Sequence, residues 1–215
     1  MAFLLVIASL AAGCRPIAGD PLAITHSEDI ALSGRTGAYL LVRDAASRVR
    51  VVTARLPGLL CRVSTASGAG LAPSVRERAG RVTVGLVATG GDGPDEVLVE
   101  LNRDVRWDIR MPAGAGEQEL DLRGARVTRV EVGPSGLVSL RLPRPRGTLP
   151  VTLLSAGTVS LEAAGAAPMR LRLAEGARSV VPPGAVGEPR EWRTARDRYA
   201  VLARSEVGAL TLRFS

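Results

Sequence analysis

The chain has 215 residues, 46% of them hydrophobic and 23% charged, with 3% aromatic and a formal net charge of +7. That balance belongs to a globular protein with room for one sizeable core, and it excludes a disordered or fibrous chain. All of the basicity is arginine, with no lysine anywhere, and with so few rings to interleave with it a stacking nucleic-acid surface is excluded too.

The first predicted element is a charge-free apolar run, Met1 to Leu10, closing in Leu10-Ala11-Ala12-Gly13-Cys14 before the chain turns polar at Arg15. Small residues just ahead of a cysteine resemble the bacterial lipobox, in which the signal is cut before the cysteine and the cysteine is lipidated. The resemblance implies a signal peptide over 1–13, a lipidated Cys14 with a linker over 14–27, and a protein on the outer face of the membrane. Two features depart from that pattern: no positive n-region precedes the run, and the run is shorter than about 15 residues. A buried N-terminal strand and an uncleaved anchor are the alternatives. A spanning helix needs about 20 apolar residues. If Cys14 carries lipid, Cys61 has no partner and behaves as a small buried hydrophobe in Leu59-Leu60-Cys61-Arg62-Val63; a Cys14–Cys61 disulfide is the alternative. His26, the single histidine, falls in the polar linker.

From residue 28 onward the signal is short apolar alternation broken by Gly or Pro, the pattern of half-buried strands. Strands are predicted at Asp29–Leu32, Ala38–Val42, Val49–Val52, Leu59–Val63, Arg81–Val87, Glu96–Leu101 and Val105–Met111. No segment of this part sustains the i, i+3, i+4, i+7 spacing of a helix. Residues 28–215 therefore read as a single all-β domain.

The second half adds a register. Gly116, Gly136, Gly157, Gly176 and Gly208 are each followed four residues later by Leu120, Leu140, Leu161, Val180 and Leu212. The first three intervals are close to twenty residues, the mark of stacked units that bury their inner faces against one another. Between these strands run Val127–Val132, Val151–Leu154 and Met169–Leu173. A β-solenoid-like stack of short strands is the expected fold, with a two-sheet β-sandwich as the alternative. The register breaks in the Pro/Gly-rich stretch 182–194, predicted as an irregular loop. It resumes at Arg198-Tyr199-Ala200-Val201-Leu202 and the closing strand Gly208–Phe214.

Val97-Leu-Val-Glu-Leu-Asn102, Val105-Arg-Trp-Asp-Ile109, Glu119-Leu-Asp-Leu-Arg-Gly124, Leu140-Arg-Leu-Pro-Arg-Pro-Arg-Gly147 and Asp197-Arg-Tyr-Ala-Val201 together resemble a group of actinobacterial proteins. That group is similar to the bacterial "putative adhesin" β-solenoids, whose racks of strands also occur in membrane-associated envelope-stress proteins. The resemblance covers about Val97–Ser215. It implies a β-stack and an association with the cell envelope, either in adhesive or structural contact or as a stress-sensing or regulatory module, and it brings no catalytic residue.

Candidate sites are sparse. Gly90-Gly91-Asp92-Gly93-Pro94-Asp95 matches a calcium-binding repeat once, but one copy supplies too few oxygens for an ion, and a strand-joining turn accounts for it. No metal or cofactor is expected. Asp95, Asp104 and Asp108 could serve a hydrolase of envelope glycans only if a cavity gathered them, and the chain is expected not to be an enzyme. Trp107 reads as a buried strand residue. Trp192, set among Arg190, Glu191 and Arg193 in the irregular loop, reads equally as a contact residue or as packing. Arg126, Arg129, Arg141, Arg144, Arg146, Arg170 and Arg172 fall in consecutive coils between apolar positions. They are candidate contacts for anionic lipid headgroups or phosphate-rich wall polymers, though a solvated face balanced by Glu119, Asp121, Glu131 and Glu162 is the simpler reading. The partners expected are therefore the membrane, such polymers, or another envelope protein.

Overall fold

Period-two alternation carries through most of the described strands, because each has one face on a core and one in water; β4 departs from it, with Leu60, Cys61 and 63–66 all buried. The computed structural model describes residues 24–182 and 185–215; the predicted signal peptide, Cys14 and most of the predicted linker lie outside them. The first strand runs from Ile24 to Ala31 rather than from Asp29 to Leu32, so His26 sits in a strand, opposite Thr65.

Seventeen strands and one short 3-10 turn make up these residues. The middle of the chain is strictly repetitive. β8 (Arg106–Met111) and β9 (Ala115–Asp121) form one coil, β10 (Arg126–Val132) and β11 (Ser135–Leu142) the next, and β12 (Thr148–Leu153) and β13 (Ala156–Ala163) the third. The first member of each coil joins one sheet, B, and the second joins the other, A, with parallel pairing between coils. The chain is thus the expected all-β stack, with two strands per coil.

Both ends leave sequence order. β2 (Gly37–Val42) and β3 (Ala46–Ala54) form a coil beside β8–β9, while β6 (Arg81–Ala88) and β7 (Glu96–Asn102) stack outside it. β4 (Leu59–Ala66), β1 (Ile24–Ala31) and β5 (Leu71–Arg78) close that end antiparallel. β5 has no counterpart among the predicted strands because Pro73 sits within it. The structure resolves the conflict by making β5 an edge strand, where a missing N–H costs least. At the other end β14 (Met169–Leu173) and β15 (Ala177–Val181) form the outermost coil. β16 (Arg198–Ala203) and β17 (Val207–Phe214) return to fill the level beneath it.

That return corrects the predicted glycine series. Gly208 stacks on Gly157, and Gly176 is a turn residue at φ +85°. Arg178 takes the ladder position opposite Gly208, and Val180 pairs with Leu210 rather than Leu212. The remaining glycines are required by contact. A Cβ at Gly116, Gly136, Gly157 or Gly208 would lie 2.3–3.0 Å from the carbonyl oxygen of the neighbouring coil, that of Ser47, Gly116, Gly136 and Gly157 in turn.

Inside, one column runs Val63–Val99–Val51–Leu120–Leu140–Leu161–Leu212 across seven strands of sheet A. The predicted neighbours Leu120, Leu140 and Leu161 are consecutive in it, and all three are buried. Sheet B faces it with Leu40, Ile109, Val130, Val151 and Val201, also consecutive and buried. Cys61 is enclosed in this core, and burial pushes its thiol up to about 12.

Candidate anion groove at the sheet corner

Where the chain leaves sheet A for sheet B after β7, β9 and β11 it turns one corner of the stack, and the local sequence puts arginine there. After β7, Asn102 is buried and its amide donates to the carbonyls of Leu56 (2.9 Å) and Leu59 (2.7 Å), fixing the turn that exposes Arg103. After β9, Leu122 anchors the turn and Arg123 reaches back to Asp121, with Nη2 at 2.6 Å and Nε at 3.0 Å. After β11 the segment Pro143-Arg144-Pro145-Arg146 alternates: both prolines are buried and both arginines are exposed. Fixed φ at the prolines keeps the segment extended, so the two arginines emerge on one side.

That segment is held from beneath. The buried Tyr199 hydroxyl lies 3.0 Å from the carbonyl oxygen of Pro143 and 2.9 Å from that of Ala164, and burial raises its phenol to about 12, so it remains a donor at neutral pH. Gly147 donates its N–H to Asp197 at 2.7 Å. Trp192 continues the network, donating to the Tyr199 carbonyl at 2.6 Å.

Three hollows line up along this corner. One of about 530 Å³ holds Arg103, Arg123, Arg126, Arg144 and Arg146 with Asp104 and Asp197. The next, about 430 Å³, shares Arg126, Arg144 and Arg146 and adds Arg106; the third, about 630 Å³, shares Arg106 and reaches Arg35. The strands that open onto them, β2, β8, β10, β12 and β16, are consecutive neighbours in sheet B, so the hollows form one groove along the stack axis. Arg126 lies level with Arg106. A register shift beside Thr128, whose hydroxyl donates to the Trp107 carbonyl at 3.0 Å, bends the strand at the groove wall. Among the described residues, Arg103, Arg106, Arg126, Arg144 and Arg146 form no ion pair. Arg123 pairs with Asp121, and Arg35 pairs with Glu77 at 2.8 Å.

The seven arginines singled out in the sequence divide among four places. Arg126, Arg144 and Arg146 share the groove. Arg129 stands on the outer face of sheet B, level with Asp108. Arg141 lies on the other sheet, 3.5 Å from Asp121, 3.7 Å from Glu162 and 3.9 Å from Glu119. Arg170 and Arg172 are on β14, gathered by Glu188 at 3.3 and 3.6 Å. Trp192 is 8% exposed, between the guanidiniums of Arg170 (3.9 Å) and Arg198 (4.4 Å), so it packs inside the loop and is not presented at the surface. That loop also covers the free edge of β14, where Leu171 and Gly187 exchange two backbone hydrogen bonds of 2.9 Å.

The groove arginines missed in the sequence are Arg35, Arg103, Arg106 and Arg123. The available signal was positional: Arg103, Arg123 and Arg144 each follow within two residues of a buried leucine in or just after a sheet A strand, Leu101, Leu122 and Leu142.

The three carboxylates considered for hydrolysis sit in different surroundings. Asp104 is in the groove, Asp108 pairs with Arg110 at 3.2 Å, and Asp95 packs under Gly70 in the β6–β7 turn. The glycines of that turn are needed because a Cβ on Gly91 or Gly93 would come within 2.4–2.5 Å of the Gly68 carbonyl oxygen. Among the described residues no group of three potential metal ligands occurs.

Comparison with solved structures shows where this architecture has been seen before. A "putative cell adhesion protein" from Clostridium sporogenes superposes with a TM-score of 0.64 at 10% identity, over 88% of this chain and 98% of that one. The chain shares its fold. A "putative adhesin" from Bacteroides fragilis matches at TM-score 0.34 and 10% identity, over 86% of this chain and 95% of that one, too distant in shape to bear on the fold. No protein-family profile matches the chain, and no curated protein matches it in sequence.

Proposed function

We propose that this chain is a lipid-anchored, non-enzymatic protein of the cell envelope that holds a rigid β-stack at the outer face of the membrane for adhesive contact. The observation that carries the reading is the lipobox-like run ending at Cys14, so close ahead of the first strand at Ile24. A tether of that length reaches at most about 33 Å when fully extended, which keeps the β1 end of the stack near the bilayer. Sheet A stands nine strands tall, or roughly 38 Å at about 4.8 Å per step, and projects its β15 end away from the membrane. The shared fold with a protein named for cell adhesion supports a contact-making role.

Cell fractionation tests the anchor. The Cys14→Ala protein is expected to leave the membrane fraction for the soluble or secreted one, because stable attachment requires the acyl chains. Unchanged membrane partitioning of the variant would contradict the reading.

A further inference from the structure

The corner groove has a length, a charge and a stiffness that together select a ligand. It crosses five consecutive strands of sheet B, four steps of about 4.8 Å or roughly 19 Å. A single small anion would occupy one level of it. At the β8, β10 and β12 levels stand Arg103, Arg106, Arg126, Arg144 and Arg146, none of them ion-paired within the described residues, with Arg123 on the groove side of its pair with Asp121; Asp104 shares the hollow, and Asp197, at the β16 level, accepts from the Gly147 N–H. Like charges held side by side repel, and a bound anion relieves the repulsion. Guanidinium forks match phosphate oxygens two at a time and bind them more strongly than a point charge does. The Pro143–Arg146 segment is fixed in advance by its buried prolines and by the Tyr199 hydroxyl, so little order is lost when a ligand arrives.

We infer that this groove binds a linear phosphate-bearing polyanion laid along the stack axis, successive phosphates being gripped by arginines of successive coils. The inference rests on the envelope reading only for where such a polymer is met; the groove itself is independent of the anchor.

The test is titration of the full-length chain, in detergent micelles, with linear polyphosphate long enough to span the groove. Parallel arms use orthophosphate, polyglutamate and phosphatidylglycerol vesicles. Saturable binding of polyphosphate that weakens as salt rises is expected. The pair Arg126→Gln with Arg146→Gln should lose roughly tenfold or more in affinity, and the pair Arg126→Lys with Arg146→Lys should fall between it and the native chain. The matched pair Arg48→Gln with Arg141→Gln, on the outer face of sheet A, should bind as the native chain does. Circular dichroism of each variant establishes that it is folded.

Equal losses in both glutamine pairs would reduce the effect to diffuse charge and overturn the site. Polyglutamate binding as tightly as polyphosphate would overturn the phosphate assignment. Binding confined to vesicles, and dependent on the groove arginines, would replace the polymer with a lipid surface. Orthophosphate competing at equal affinity per phosphate would remove the need for a chain. No binding by the native protein defeats this inference while leaving membrane attachment through Cys14 standing, since fractionation reads that separately.

Discussion

On the outer face of sheet A most arginines are answered by carboxylates; at the corner between the sheets most are not. Arg48 meets Glu117 at 2.8 Å and Glu96 at 3.6 Å, Arg50 meets Glu119 at 3.0 Å, and Arg62 meets Asp29 at 2.7 Å. Arg141 lies among three carboxylates. These pairs arise because parallel coils put equivalent positions side by side, and the sequence alternates sign along the resulting rows. The arginine of each pair is more than a third exposed, so each pair contributes little to stability. The face is solvated and electrically quiet. The corner uses the same residue type with few ion pairs, so most of its charge is left unpaired within the described residues.

The core beneath both regions sets the largest expected effect. Leu140 stands mid-column between Leu120 and Leu161 and is 1% exposed. Leu140→Ala is expected to cost about 2–5 kcal/mol in denaturant unfolding. Because both surfaces are built on one core, the paired face and the groove should be lost in a single transition. A cost under about 1 kcal/mol would mean the column is wrong.

Tyr199→Phe separates the regions. It removes the hydroxyl beneath the Pro143 segment, and a cost of about 1–3 kcal/mol is expected from the buried carbonyls left unpaired. Hydrogen exchange should quicken around Arg144 and Arg146 and stay unchanged on sheet A. The same phenol gives an alkaline signature. Its folded pKa is raised from 10.0 to about 12, so its contribution is complete below pH 10 and is lost as pH climbs towards about 12. The Cys61 thiol, raised from 9.0 to about 12, acts in the same direction from a lower starting point. The native chain should therefore lose stability above about pH 9, and the Phe variant should lose less between 10 and 12.

How far all this could be read from the sequence follows from which forces are local. Alternation and the contact-required glycines gave the strands, the stack and the inner column, because a register of two and a coil of about twenty residues leave a trace in one dimension. The levels at each end did not. Gly176 has the right spacing from Gly157, yet the chain skips a level there, and only the pairing of β17 with β13 shows it. Pro73 hid an edge strand for the same reason: whether a missing N–H matters depends on a neighbour far along the chain. Arg141 and Arg144 are three residues apart and look alike in sequence, but one ends in ion pairs with carboxylates of neighbouring coils and the other at a turn where it forms none. The charged flanks of Trp192 leave contact and packing equally open in the sequence, and it is two of the neighbouring arginines, Arg170 and Arg198, that help to bury it.

Charge substitutions give a smaller contrast. Arg141→Glu would place a fourth carboxylate among Glu119, Asp121 and Glu162 and should cost about 1 kcal/mol, a loss that added salt reduces. Arg126→Gln at the corner should change stability by less than about 0.5 kcal/mol in either direction. Equal costs would erase the distinction between the two regions.

The smallest effect is at low pH. The Arg62 guanidinium holds the Asp29 carboxyl below its ordinary 3.8, and Arg123 does the same for Asp121. A carboxylate with a depressed folded pKa stabilises above its unfolded value and gives that up as pH falls through the folded one. Thermal unfolding should therefore shift downward below about pH 4, and Arg62→Gln should flatten the shift slightly.

Arginine footprinting with phenylglyoxal, read by mass spectrometry on the full-length chain with and without polyphosphate, tests the central contrast most directly. Arg103, Arg126, Arg144 and Arg146 are expected to react fastest in the free protein and to be protected together by the polymer, while Arg48, Arg50 and Arg141 react slowly and are unaffected by it. Uniform reactivity across both regions, or protection spread over sheet A as much as over the corner, would contradict the account.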